Sequence, residues 1–190
     1  AGLQSVVVST YQAASGAGQR AMDEMHAATR AVLAGEAPPK PDALAQSLAF
    51  NLFPHVDVFM DDGFTREEDK MLFEVRKILD MPALTVDATC VRVPVARCHS
   101  ESVAVKLEKN LTVTEAREVF GSSPGLTVLD DPENARYPMP CDYAGLDDVA
   151  VGRVRLGRVF EPGRTFWLAG DQRRKGAGRH AVQRAAAREG

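Results

Sequence analysis

Arg92 and His99 stand seven positions apart in the segment Thr89-Cys-Val-Arg-Val-Pro-Val-Ala-Arg-Cys-His-Ser-Glu-Ser-Val103. A guanidinium grips a carboxylate as a two-pronged fork, and an imidazole moves a proton near neutral pH. The alternating residues before Pro94 predict a strand that carries Arg92. A turn after the proline then delivers His99 at the start of a second strand, and the two strands are expected to pair.

Two other segments collect groups suited to an anionic, amino-acid-like ligand. Gln12 precedes the turn Ser15-Gly-Ala-Gly18, whose backbone N–H groups approach a ligand closely because two positions lack a Cβ. Glu67-Glu-Asp-Lys70 opens a helix, where an acid at 67 and an ammonium three residues later share one face. They could hold an ammonium and a phosphate respectively. Taken singly, each feature has a plainer explanation. Gly16 and Gly18 can simply turn a strand into a helix, and Glu67 with Lys70 can be a solvated first turn. Arg92 can pair with a structural carboxylate, and His99 can be a satisfied buried histidine. His26, His55 and His180 have no partners in a recognisable arrangement, and neither Cys90 nor Cys98 has an evident activating base. No GxxxxGK[ST] loop, GxGxxG fingerprint, CxxC pair or HExxH motif occurs, and no metal site is expected.

These groups need elements to hold them. Residues 5–12 read as a β-rich run, and residues 19–33 as a helix with Met22, Met25, Ala28, Val32 and Leu33 on an apolar stripe. Gly35 and the loop Ala37-Pro-Pro-Lys-Pro41 end that helix. The mixed segment 50–60, broken by Pro54, supports no assignment. Thr65 and Glu68 form a capping box for a helix carrying Leu72, Val75, Ile78 and Leu79; Thr112 and Glu115 form another for a short helix stopping at Gly121. Strands are expected at 88–95, 101–108, 126–129, 149–158 and 164–169, and a last helix at 175–188. This order predicts an α+β fold, a single domain over residues 1–190, with a mixed, mostly antiparallel sheet and helices on one face.

Composition is that of an ordinary globular protein, 45% apolar and 26% charged. No run approaches the roughly 18–20 apolar residues of a membrane span. No signal peptide is expected from the opening residues. Three cysteines cannot make a full disulfide framework, so a reducing compartment is expected: cytoplasm, or plastid stroma in a photosynthetic eukaryote. The net charge of −3 is unevenly spread: residues 153–190 hold nine Arg and one Lys against three acids, a local +7 that leaves −10 for the rest. No aromatic is interleaved with the final basic cluster, which favours a solvated helix face over nucleic-acid binding.

In order and spacing, these landmarks together resemble the C-terminal half of aspartate-semialdehyde dehydrogenases. The matching residues are Ser9-Thr-Tyr-Gln-Ala-Ala-Ser-Gly-Ala-Gly18, Phe50-Asn51 with Pro54 and Asp57, and the stretches 65–79 and 88–103. They continue with Arg136-Tyr-Pro-Met-Pro140, Val151-Gly-Arg153 and Lys175-Gly-Ala177. The resemblance implies a glyceraldehyde-3-phosphate-dehydrogenase-like C-terminal domain that pairs two subunits through its sheet. The family reaction it implies is the NADPH-dependent reductive dephosphorylation of aspartyl-4-phosphate to aspartate semialdehyde, on the route to lysine, threonine and methionine. It also implies His99 as general acid/base, Arg92 as the fork on the substrate α-carboxylate, Glu67 on its amino group and Lys70 on the phosphate. By the same resemblance Gln12 orients the acyl-enzyme, Ser15, Gly16, Ala17 and Gly18 lie beside the nicotinamide of NADP, and Gln172 reaches its amide. The apolar strands at 101–107 and 149–154 add to the expectation of a homodimer.

Two departures accompany the matches. The family's catalytic cysteine, in a Pro-Asn-Cys-Ser/Thr motif, and its N-terminal Rossmann domain precede the Ser-Thr-Tyr-Gln strand, and neither falls within these 190 residues. The polypeptide alone is therefore expected to be an incomplete enzyme that binds no NADP by itself. In the last helix, Arg stands at 173, 174, 179 and 184, where the family has apolar docking residues. Burying an unpaired guanidinium is costly, so these positions are expected to face water. The expected function is the substrate-binding and dimerisation domain of such a dehydrogenase. Its rivals are an interaction protein that binds a partner through the Arg-rich helix, and one half of a split enzyme completed by a separate Rossmann polypeptide.

Overall fold

The computed structural model describes residues 2–172. It contains β1 (Leu3–Gln12), β2 (Thr85–Arg92), β3 (His99–Leu107), β4 (Leu126–Val128), β5 (Val149–Leu156) and β6 (Gly163–Gly170). All six join one sheet in the order β2-β1-β3-β6-β5-β4. β1 with β2 and β4 with β5 run parallel; the other pairings are antiparallel, so the sheet is mixed and mostly antiparallel as expected.

One expectation fails. The strands carrying Arg92 and His99 do not pair, because β1 lies between them. The connection that leaves β2 does not fold back as a hairpin. It stays hydrogen-bonded to the end of β1, through Val93 N–H to Gln12 and through the N–H groups of Ala14 and Ser15 to Val95 and Ala96, and so crosses over that strand.

Strand alternation decides which side chains meet the helices. Val6, Val8, Val103, Val105, Leu107, Val149, Val151, Val154, Phe166 and Leu168 form the core with Val75 of α2 (Arg66–Leu79) and Ala116 and Phe120 of α3 (Val113–Gly121). Both helices start at the expected capping boxes. Val103, Val105, Leu107, Val149, Val151 and Val154, the large apolar residues of 101–107 and 149–154, are thus core residues, which corrects their use as evidence for self-association. The outer face instead presents Val7, Ser9, Tyr11, Ser102, Ala104, Thr165 and Trp167, with Val7 42% exposed. Over β5 and β6 this face is covered by the segment 136–140: Trp167 Nε1 donates to the Pro138 carbonyl at 2.9 Å. Gly152, paired with Trp167, leaves room for that crossing, since a Cβ there would overlap the Leu129 carbonyl and the Pro138 ring.

α1 (Gln19–Leu33) matches its expected bounds and buries Met22, Met25 and Ala28, the first two in a second cluster with Leu44, Leu48 and Phe53. Val32 and Leu33 are exposed, because the helix outruns the loop that covers its earlier turns. Residues 50–60 are irregular, tied down by isolated bridges from Phe53 to Arg92 and Phe59 to Thr65. The helix expected at 175–188, with its arginines, lies outside the described residues. Among the described residues no helix is long and apolar enough to cross a membrane.

Candidate functional site

The crossing of the 93–98 connection over β1 brings three chain ends together: Gln12 closes β1, Arg92 closes β2 beside it, and His99 opens β3. All three face the helix side at one end of the sheet. With Glu67 and Lys70 of α2 they line a cavity of about 600 Å³, which Gly16, Ala17 and Gln172 also border. Ser15 and Gly18 do not line it. Ser15 stands behind it, accepting a 2.7 Å hydrogen bond from Gln172 Nε2, and Gly18 serves as the N-cap of α1.

The first turn of α2 is fixed from two sides. Glu68 accepts from the Thr65 N–H at 2.7 Å through one oxygen and from the Cys90 N–H of β2 at 2.8 Å through the other. Glu67 and Lys70 are then free to project into the cavity. There they hold each other: Lys70 Nζ lies 3.2 Å from Glu67 and 3.0 Å from Asp57, and Gln12 Nε2 donates to Glu67 at 3.3 Å. The hydrogen bond from Lys70 holds the Asp57 carboxyl below its ordinary value, and the bonds the lysine donates to Asp57 and Glu67 raise its own pKa.

Arg92 is 6% exposed and donates from Nη1 to the Ala13 carbonyl at 2.7 Å. Burial lowers its pKa, opposed by Glu67, yet a guanidinium stays charged. Among the described residues it makes no ion pair with a carboxylate, so the structural-partner explanation does not hold.

His99 accepts a hydrogen bond at Nδ1 from the Ala13 N–H, 3.1 Å away. Its proton in the neutral form therefore sits on Nε2. Burial, and next the Arg92 guanidinium, push its pKa down to about 3, with Asp171 opposing. The ring is thus a neutral donor at pH 7 while Arg92 has no anion beside it. Cys98, just before it, takes a left-handed φ of +75°, the bend that aims His99 inward. The same connection is tied down by Arg97, which bonds the buried Asp171 at 2.7 Å; Asp171 also accepts from the Gly145 N–H at 2.7 Å.

Three participants were given no site role from the sequence, although Asp57 stands among the landmarks of the resemblance. Asp57 lies in a segment without periodicity, and Asp171 acts through a loop distant in sequence. Glu101 was legible in principle, since it follows His99 by two on a strand and so shares its face; it borders the cavity. The cysteines offer no nucleophile here. Burial pushes the thiols of Cys90 and Cys98 up to about 12, and Cys141 does not line the cavity. No group of three or more His, Cys, Asp or Glu among the described residues is placed to hold a metal ion. For a nicotinamide the fit is better: among the described residues Gln172 Oε1 is buried without a partner beside Ser15, an acceptor suited to a carboxamide N–H.

A profile of the family described as "Semialdehyde dehydrogenase, dimerisation domain" matches residues 1–175. Aspartate-semialdehyde dehydrogenase of Aquifex aeolicus is 50% identical over 183 residues, covering 96% of this chain and 54% of that protein. The crystal structure of aspartate semialdehyde dehydrogenase II complexed with ASA from Vibrio cholerae matches with a TM-score of 0.87 and 36% identity, covering 96% of this chain and 54% of that one. At the level of fold alone, the enzyme with NADP from Candida albicans matches with a TM-score of 0.61 and 18% identity, over 97% of this chain and 49% of that one. The chain spans about half the length of these relatives. It belongs to the semialdehyde dehydrogenase dimerisation-domain family.

Proposed function

We propose that this chain is the substrate-binding and dimerisation domain of an aspartate-semialdehyde dehydrogenase, serving the NADPH-dependent reductive dephosphorylation of aspartyl-4-phosphate. The observation that carries the reading is Arg92, a buried guanidinium with no ion pair among the described residues, bordering the cavity that His99, Glu67 and Lys70 share. Its fork takes the substrate α-carboxylate and Glu67 the α-ammonium. Lys70 exchanges its present carboxylates for the phosphate. Gln12, bonded to Glu67, fixes the approach of the reacting carbonyl.

With a carboxylate neutralising Arg92, the field that depresses His99 weakens. His99 then gives its Nε2 proton to the oxygen on which charge develops and later takes one back; such assistance contributes about 10²–10⁴-fold. The 15–18 turn and Gln172 are the residues that would hold NADPH, which when bound would supply a hydride. The thiolate that forms the acyl intermediate comes from a segment other than these residues, since neither Cys90 nor Cys98 ionises near neutrality. A second copy of the chain covers the outer sheet face.

The test is an assay with aspartate semialdehyde, phosphate and NADP, on the chain alone and mixed with a Rossmann-type polypeptide carrying a Pro-Asn-Cys motif. NADPH is expected only in the mixture, and only when Arg92 is intact. A mixture indifferent to Arg92→Met would sink the reading.

A further inference from the structure

Strand register arranges the cavity floor in rows. The outer row is Arg92, Gln12 and His99; behind it lie Cys90, Thr10 and Glu101, with Thr10 paired to both neighbours. Glu101 is 8% exposed and forms part of the cavity wall. Among the described residues no hydrogen bond or ion pair reaches its carboxyl. An unpartnered carboxylate is expensive in such a place, and burial alone raises the Glu101 pKa to about 7.

The charged and titratable groups around it decide what ionisation means. α2 contributes Glu67, Glu68 and Lys70; β2 contributes Cys90 and Arg92; β3 contributes His99; the 50–60 segment contributes His55 and Asp57. Glu68 is occupied in the cap and on Cys90. Among the described residues, the two cations lining the cavity, Arg92 and Lys70, are already matched in number by Glu67 and Asp57. An ionised Glu101 therefore tips the cavity to net negative and repels an anion. A neutral Glu101 leaves it balanced and offers an O–H donor.

We propose that Glu101 is the proton-linked residue of this pocket: an anionic ligand binds with uptake of one proton by the Glu101 carboxylate, which then presents its O–H to the cavity. This rests on the reading that the pocket takes an anionic substrate. The only bond formed is O–H, and the proton comes from solvent.

Sulfate tests it, because its charge does not change between about pH 6 and 8, where Glu101 is placed to titrate. The full chain is titrated with sulfate across that range while NMR follows the Glu101 carboxyl carbon, the Arg92 Nε–H and the Lys70 Nζ. Glu101 should titrate near neutrality and its midpoint should rise with sulfate. Sulfate affinity should fall toward about tenfold per pH unit above that midpoint. Glu101→Gln should bind sulfate with nearly pH-independent affinity. A Glu101 midpoint in the ordinary carboxylate range, or one that sulfate leaves unmoved while Arg92 responds, overturns the linkage alone. Sulfate that perturbs neither Arg92 nor Lys70 overturns the anion-pocket reading together with it.

Discussion

Gly16 lies so close to Arg92 that a Cβ on it would stand 2.9 Å from the guanidinium Nη1, and 3.1 Å from His99 Nε2. The guanidinium has little freedom to retreat, since the same nitrogen already bonds the Ala13 carbonyl at 2.7 Å. Gly16 is not among the residues with positive φ, so alanine is allowed by the backbone. Gly16→Ala should therefore still fold, at a cost of about 1–3 kcal/mol for crowding the guanidinium. It should weaken anion binding at Arg92 by about ten- to hundredfold, the effect of displacing a positioned group. Thermal unfolding and sulfate titration of the same preparation check both halves; unchanged binding would mean the close approach has no role.

His99 should be found as the Nε2–H tautomer at pH 7, because Nδ1 is occupied by the Ala13 N–H. Nitrogen-15 spectra of the imidazole report this directly. Its midpoint should lie far below the ordinary 6.5, toward 3, and Arg92→Met should raise it. The sign for stability follows: the unfolded chain takes up this proton first, so His99 contributes falling stability as pH drops from 6.5 toward 3. A ring protonated on Nδ1, or a midpoint unmoved by Arg92→Met, would remove the electrostatic account of this residue.

How much of this could be read from the chain depends on what each residue's neighbours along the sequence reveal. Both capping boxes and α1 were legible because their signals are local. Arg92 and His99 were legible as a pair, but their strands were expected to bond each other, and a chain segment eighty residues earlier takes that place. Strand partners are chosen by packing at long range, which a local pattern does not encode. The apolar strands at 101–107 and 149–154 carried the opposite ambiguity. Alternating valines read the same whether they meet a helix of their own chain or another molecule, and here they meet α2 and α3. Glu101 was passed over because an acid in a strand normally belongs on its solvated face.

Glu101 also gives stability a pH dependence that binding does not enter. Its folded pKa of about 7 stands above the ordinary 4.5, so its contribution is complete below 4.5 and is lost as pH rises through 7. The ionised form costs roughly 3 kcal/mol at most on that difference. Glu101→Gln should match the native chain at acid pH and exceed it in stability at alkaline pH. Urea unfolding at the two extremes measures this, and an equal difference at both would show that the carboxyl is not desolvated.

The outer face makes the last test, because its composition is what an interface between copies would need. Val7, Ala104 and Thr165 lie in one row across β1, β3 and β6, and Ser9, Ser102 and Trp167 in the next, so charge is absent from the centre of this face. Tyr11 and Trp167 add aromatic surface, with ring centroids 5.2 Å apart. Val7 is on an inner strand, so it offers no sheet edge for pairing and can be covered only face to face. Val7→Lys should leave circular dichroism unchanged, since the side chain is already half in solvent. It should convert a dimer at tens of micromolar, about where a standard-size interface persists, into a monomer. Sedimentation that shows the native chain and Val7→Lys with the same mass would place the contact between copies elsewhere, and the row from β1 to β6 would then have no interface to explain its lack of charge.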